Sequence, residues 1–412
     1  MPKLPDKEAS LWREEYPGEP VYRRLDEDIK VDTVIIGAGI TGLTAAYLLK
    51  QSGQKVAVLE KETVGGGTTG RTTGKVTAQH NLIYASLYDQ SGKQTARQYA
   101  DANTIALETV NSIISKEKIS CGWQRDDNYV YTVDAGQVSQ FRREAEAAAS
   151  LDLPATFETE TPLPFKTEAA VRFSNQAKLH SQQYLLGLAE KVNGDGSYIF
   201  ENSNAISIKD GSPGKVKTRK ASVIAGNIIV ATNVPTMPLM ARGGFCILEY
   251  PNESYIVAGI LNKTVSGMYI SPDKGHYSIL PISHGGQNLL LVGGESNISG
   301  LRGSKKARYE RLADYAEKHF GVTEITHKWS DRDYLSYDKV PLAGKLYPWS
   351  KHLFTATAFG KWGLTNGTAA ATILHDLITA TPNSYAAAFN SNRSSPIKFI
   401  PKVAAQYIFG RK

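Results

Sequence analysis

Cysteine is almost missing: Cys121 and Cys246 are the two in a chain of 412 residues. Two thiols cannot supply a disulfide framework, a four-thiolate zinc site or an all-cysteine iron–sulfur cluster. A reducing compartment, the cytoplasm, is the expected location. Long apolar runs are missing as well, so no segment is expected to cross a membrane. The opening residues, Met1-Pro2-Lys3-Leu4-Pro5-Asp6-Lys7-Glu8, mix charges and lack the apolar stretch of a secretory signal. No element combines clustered Lys/Arg with interleaved aromatics, which argues against nucleic acid as a partner.

What remains is an ordinary globular composition. With 41% hydrophobic and 21% charged residues, wholesale disorder and fibrous architectures are excluded. The length allows two or three domain-sized masses. Lys+Arg at 47 against Asp+Glu at 40 leave a formal charge of +7. Much of that surplus lies in residues 391–412, where Arg393, Lys398, Lys402, Arg411 and Lys412 meet no acid. These residues read as a basic C-terminal tail, a solvated end or a linker.

The strongest local signal is Val34-Ile35-Ile36-Gly37-Ala38-Gly39-Ile40-Thr41-Gly42. A β-branched run reads as a buried parallel strand, and the Ala/Leu-rich residues after Gly42 read as a helix. Between them, Gly37 allows a tight turn, Gly39 lets backbone approach a pyrophosphate, and Gly42 allows close helix–strand packing. A second strand, Lys55 to Leu59, ends in Glu60, followed by Lys61. A carboxylate there accepts hydrogen bonds from a ribose 2′-OH and disfavours a 2′-phosphate. Next comes Val64-Gly65-Gly66-Gly67-Thr68-Thr69-Gly70-Arg71-Thr72-Thr73-Gly74-Lys75, whose backbone N–H groups and hydroxyls suit an extended phosphate–ribityl chain.

On these residues the sequence resembles the FAD-dependent oxidoreductases of the D-amino-acid oxidase, glycine oxidase and sarcosine oxidase superfamily. Four later segments extend the resemblance. Lys178 to Ala189 looks like the helix that re-enters the FAD domain, and Asn204-Ala205-Ile206-Ser207-Ile208 like the stretch that meets the adenine. Ala225 to Asn233, including Ala231 and Thr232, is similar to a second FAD strand. Phe359-Gly360-Lys361-Trp362-Gly363-Leu364-Thr365 is similar to the terminal turn that lies against the flavin ring. The resemblance implies an α/β chain, α+β overall, with a Rossmann-like FAD-binding domain and an interleaved antiparallel-sheet substrate domain. It places residues 1–110, 176–234 and 326–390 in the FAD-binding domain and 111–175 and 235–325 in the substrate domain. Within the latter, Phe141 to Ala149 reads as an exposed helix; in the FAD-binding domain, Asp210 to Gly214 reads as a hairpin turn.

The sequence also departs from that family. Where glycine oxidase-like members place an arginine for the substrate carboxylate, this chain has Asp333. Arg332 is out of phase on an extended segment, and Arg302 is a loop alternative. Some relatives bond a histidine of the Gly/Thr loop to the flavin, but Arg71 stands there, so non-covalent FAD is expected, with His80 in reserve. The pattern looks closest to the flavin half of bacterial proteins that append a Rieske domain. The paired Cys and His of such a domain do not occur between Ile378 and Lys412.

The expected activity is two-electron oxidation of a C–N bond in an amine or modified amino acid, with hydride passing to flavin N5 and electrons leaving to oxygen or an acceptor protein. Candidate catalytic residues are Lys361, Tyr255, Tyr277 and His276, with Tyr269 and His284 also on predicted substrate-domain strands or turns. The alternatives are a flavin-bound electron-transfer subunit and an NAD-dependent dehydrogenase.

Overall fold

Residues of one short β-branched run organise half of the molecule. In the computed structural model, which describes residues 2–14, 16, 21–234, 245, 247–299 and 303–393, that run lies in the central strand of a parallel sheet. Cys246, Arg302, Lys398, Lys402, Arg411 and Lys412 lie outside the described residues.

The chain begins with β1 (Ile29–Ile36), α1 (Ile40–Gln51), β2 (Val56–Leu59), β3 (Lys75–Val76) and the long α2 (Tyr84–Glu117). Next come β4 (Gln124–Thr132), α3 (Val138–Ala149), β5 (Ala155–Glu158), β6 (Ala169–Lys178) and α4 (Ser181–Val192). The middle holds β7 (Tyr198–Phe200), β8 (Ser207–Lys209), β9 (Gly214–Lys217), β10 (Ser222–Val230), β11 (Glu249–Ile260), β12 (Met268–Ile270), β13 (Ser278–His284) and β14 (Gln287–Ile298). It closes with α5 (Lys305–Phe320), β15 (Ile325–Ser336), β16 (Leu342–Lys345), β17 (Leu353–Thr357) and α6 (Gly363–Thr379).

Two sheets result. The first runs β16-β17-β10-β1-β2-β7, with the β8–β9 hairpin joined to β10. Its core strands β17, β10, β1, β2 and β7 are parallel. Val34, Ile35, Val58 and Ile229 are buried there, as continuous apolar runs in a two-sided parallel sheet require. The second runs β15-β11-β14-β13-β12-β4-β6-β3, with β5 on β6, and is antiparallel except where β12 meets β4. Helix α5 covers one of its faces through Tyr309, Leu312 and Ala313. On the opposite face Ile256, Leu280, Leu291 and Trp329 pack with Leu11 and Trp12 of the N-terminal segment.

The strand β15, read above with the FAD-binding part, is hydrogen-bonded along β11 in the second sheet. Helix α3, expected to be exposed, buries Phe141, Glu144, Ala145 and Ala148. The Glu144 carboxylate accepts the N–H groups of Tyr84 and Ala85, both at 2.8 Å, at the start of α2. A helix N-terminus needs such acceptors. The alanine-rich run of α3 reads as solvent-facing because small residues carry little apolar signal.

Candidate functional site

The turn from β1 into α1 is as tight as its glycines allow. Gly37 has φ +109°, and a Cβ on it would stand 2.5 Å from the Ala231 carbonyl oxygen at the end of β10. A Cβ on Gly42 would stand 2.0 Å from the Gly37 carbonyl oxygen. Both contacts are closer than any side chain tolerates, so backbone alone shapes this end of the site. Glu60 follows β2 and is buried, its carboxylate accepting from Ala38 N at 2.9 Å and Glu62 N at 3.0 Å. Burial raises its pKa, and the two N–H donors oppose that rise. Each oxygen keeps further acceptor capacity for a ligand hydroxyl.

The loop after Glu60 is gripped from outside by its carbonyls. Gln182 Nε2 and Arg13 donate to Val64 O at 2.9 and 3.2 Å, and Arg71 donates to Gly66 O at 2.6 Å. Ser10 Oγ donates to Gly70 O at 2.7 Å, Trp329 Nε1 to Arg71 O at 2.8 Å, and Trp12 Nε1 to Thr72 O at 2.5 Å. With these carbonyls engaged, Thr68, Thr69, Arg71, Thr72 and Thr73 face a cavity.

The turn before α6 closes the other side. Ala358, Gly360 and Lys361 have φ of +62°, +63° and +73°. Tyr334 O accepts from Gly360 N at 3.0 Å, and the Asp333 carboxylate accepts from Lys361 N at 2.6 Å and Tyr334 N at 2.8 Å. Burial raises the Asp333 pKa against those bonds. Lys361 Nζ donates to Ser296 Oγ at 2.8 Å. Lys361 is solvent-accessible and lines the cavity, and desolvation by the surrounding protein lowers its pKa to about 8 although Asp333 favours its charge.

All three parts border one cavity of about 850 Å³. Of the sequence candidates, Gly37, Gly39, Ile40, Thr41, Glu60, Lys61, Ala205, Ala231, Thr232 and Gly360–Leu364 line it, as do the loop residues above and His276. His276 has its pKa lowered by burial and by Lys361.

Others do not reach the cavity. Gly42 packs the turn, and Gly74 (φ +96°) lies against Leu179 O. Ile206 is 46% exposed on the surface. Thr365 is buried and donates to Thr77 O at 3.0 Å. Tyr255 and Tyr277, expected at the substrate, are turned away. Residues Asn252, Ser254 and Ile256 of β11 face the cavity, so Tyr255 points to the opposite sheet face and meets Tyr309 edge-on at 5.3 Å. Tyr277 stacks on Tyr315 at 3.8 Å, and Tyr269 on Tyr129 at 5.1 Å. His284 lies beside His180, with ring centroids 5.6 Å apart, and outside the lining. His80 is buried, hydrogen-bonded to Tyr99 OH at 2.5 Å and stacked on Trp362, with burial lowering its pKa to about 3. Arg332 is exposed, as its phase predicted, and is not part of the lining.

The lining groups that escaped sequence reasoning include Lys75, Ser278, Ser296 and Asp331. Lys75 directly follows the Gly/Thr loop, and that adjacency was the available signal. Asp331 has its pKa raised to about 7 by burial and by Asp333, with Arg71 and Thr68 opposing the rise.

The donor set fits FAD. Thr41 Oγ1 is buried without a hydrogen-bond partner among the described residues and belongs to a lining residue at the start of α1. The carbonyl-engaged loop and the Glu60 carboxylate suit a pyrophosphate and a ribose. Among the described residues no group of His, Cys, Asp and Glu could hold a metal ion, and no helix is long and apolar enough to cross a membrane.

Comparison with known proteins agrees with this geometry. The family described as FAD dependent oxidoreductase (DAO) matches residues 32–377. YhfW of Bacillus subtilis (strain 168), whose name describes a Rieske 2Fe-2S iron-sulfur protein, is 34% identical over 377 residues, covering 91% of this chain and 74% of its own. Gamma-glutamylputrescine oxidoreductase of Escherichia coli (strain K12) is 26% identical over 219 residues, covering 52% of this chain and 51% of its own. The crystal structure of glycine oxidase from Geobacillus kaustophilus superposes with a TM-score of 0.75 at 18% identity, covering 89% of this chain and 99% of that one.

Proposed function

The chain belongs to the family of FAD-dependent oxidoreductases, and on that premise we propose that it oxidises a C–N bond of a small amine or modified amino acid. FAD, when bound, supplies the two-electron acceptor, which takes a hydride at its N5. Gly37, Gly39, Thr41, Glu60, Ala205 and Ala231 would hold its nucleotide half, and the Gly/Thr loop and the turn at Gly360–Leu364 its flavin half. Arg71 in the loop cannot form the histidyl bond found in some relatives, so attachment is non-covalent.

The observation that carries the amine assignment is the charge of the part of the wall contributed by β3, the turn before β13 and the terminal turn. Lys75, Lys361 and His276 line it, and among the described residues the lining carboxylates of the second sheet, Asp331 and Asp333, come from β15 and none from β11, β13 or β14. Neighbouring positive charge and burial both disfavour the ammonium form of a bound amine. The neutral amine, whose lone pair assists hydride loss from the adjacent carbon, is the form this wall selects. No dedicated base is then required.

Anaerobic titration of the FAD-loaded protein with a panel of amines and N-methyl amino acids tests the reading. Bleaching of the flavin absorbance by at least one member is expected. Bleaching by a protein redox partner and by no amine would assign the chain to electron transfer instead.

A further inference from the structure

Among the described residues, one cation on the cavity wall has no opposite charge beside it. Lys75 is 6% exposed, and its Nζ donates to Tyr269 O at 2.6 Å and to Ser278 Oγ at 2.8 Å. Both acceptors are neutral. An ammonium has three donor hydrogens, so one is left over. Among the described residues the charge that acts on Lys75 is Lys178, of the same sign, and burial followed by Lys178 lowers the Lys75 pKa to about 7.

The other charged groups nearby are already engaged. Lys178 Nζ donates to Asp126 at 2.9 Å and Pro281 O at 3.1 Å, so Asp126 serves Lys178. Asp333 is committed to the backbone of Tyr334 and Lys361, and Asp331 interacts with Arg71 and Thr68. Lys361 adds positive charge to the same cavity, and His276 lines it with its pKa lowered by burial and by Lys361. Ile256, Ile270 and the bare backbone of Gly293 complete the lining near Ser278, which pairs in register with Gly293. A buried ammonium is costly unless paired. This one stands where a ligand can supply the missing charge.

We propose that Lys75 and Ser278 receive the carboxylate of the substrate, so that the amine oxidised is an amino acid or N-substituted amino acid. The assignment rests on the amine-oxidation reading above. It moves the anion pole away from β15, where Asp333 is tied to the terminal turn, to the junction of β3 and β13.

Small carboxylates that cannot be oxidised test it, with the FAD-loaded protein and the flavin spectrum as readout. Propionate should perturb the spectrum, and propionamide and ethylamine should not. Below a pH of about 7 Lys75 is charged in the free protein, and propionate affinity should be flat there. Above it, affinity should fall by about tenfold per pH unit as the ammonium is lost. Lys75→Met should weaken propionate by at least about tenfold and flatten the profile, and Ser278→Ala should weaken it by about threefold. Wild-type propionate binding by Lys75→Met overturns the proposal. If Lys75→Met fails to hold FAD, unchanged affinity in Ser278→Ala overturns it equally. The two readings fail separately. Propionate binding through Lys75 with no amine able to reduce the flavin removes amine oxidation and leaves the anion site. An amine acid that reduces the flavin with the same KM in wild type and Lys75→Met removes the anion site and leaves amine oxidation.

Discussion

The two ends of the cavity are built from different materials. At the cofactor end the working parts are backbone: Gly37, Gly39 and Gly42 shape the turn, and the loop carbonyls of Val64, Gly70, Arg71 and Thr72 are held from outside. At the substrate end they are side chains, Lys75, Ser278, Ser296 and Lys361, carried by elements far apart in sequence. A phosphate can be held by N–H groups that any residue possesses. Discrimination among small organic substrates needs particular side chains. The first end therefore tolerates change only where there is space for it, and the second only where charge and hydrogen bonding are kept.

Substitutions can separate these two modes. The largest effect belongs to Gly42→Ala: the added methyl would meet the Gly37 carbonyl at 2.0 Å. The β1–α1 turn must open, and purified protein should lose FAD on gel filtration, read by absorbance. Retained FAD would show that this end is softer than its packing. Next is Asp333→Ala, which frees Lys361 N–H and the turn at Gly360. With FAD still bound, the anaerobic rate of reduction by a reactive amine should fall by roughly 100-fold, the scale of a misplaced site.

The third concerns pH and the protein without FAD. Lys75 has a folded pKa of about 7 against an ordinary lysine value of 10.5. Between those values the unfolded chain binds the extra proton, so stability should rise with pH from about 7 toward 10.5. Thermal melts across that range should show the rise, and Lys75→Met should reduce it. A smaller effect is expected from Trp12→Phe, which keeps the ring but removes the donor to Thr72 O. It should cost about 1 kcal/mol of stability and weaken FAD by a few-fold, by the worth of one hydrogen bond. Smallest is Tyr255→Phe: the ring faces α5, so amine reduction should stay within about twofold, with stability changed by about 0.5 kcal/mol. A large loss of rate there would break the division between the two ends.

The same division explains what could be read in advance. The strand–turn–helix at Val34–Leu49, the acid at Glu60 and the loop at Val64–Gly74 are local patterns, and the structure forms each of them where the sequence places it. The terminal turn was legible for the same reason, being contiguous from Phe359 to Leu364. Tyr255, Tyr277 and Tyr269 illustrate the limit. Each lies on or beside a strand that was foreseen, but the face it points to depends on register with neighbouring strands, and a one-residue difference sends a side chain to the other face. His80 illustrates another: its partners Tyr99, Thr365 and Trp362 are distant in sequence, and together they bury it.

By itself the sequence determined the dinucleotide turn, the ribose acid, the Gly/Thr loop and their order along the chain. Glycine spacing, β-branched runs and helix periodicity act over a few residues and need no knowledge of what lies across the cavity. Only the tertiary structure decided that N-terminal Ser10, Trp12 and Arg13 grip the loop, that Asp333 holds a backbone N–H, and that Lys75 meets Ser278. Those contacts span 51 to 203 positions in the chain except for Asp333 to Lys361 at 28. They depend on how segments far apart in the chain are brought together, and pairings at such range leave no local periodicity to read.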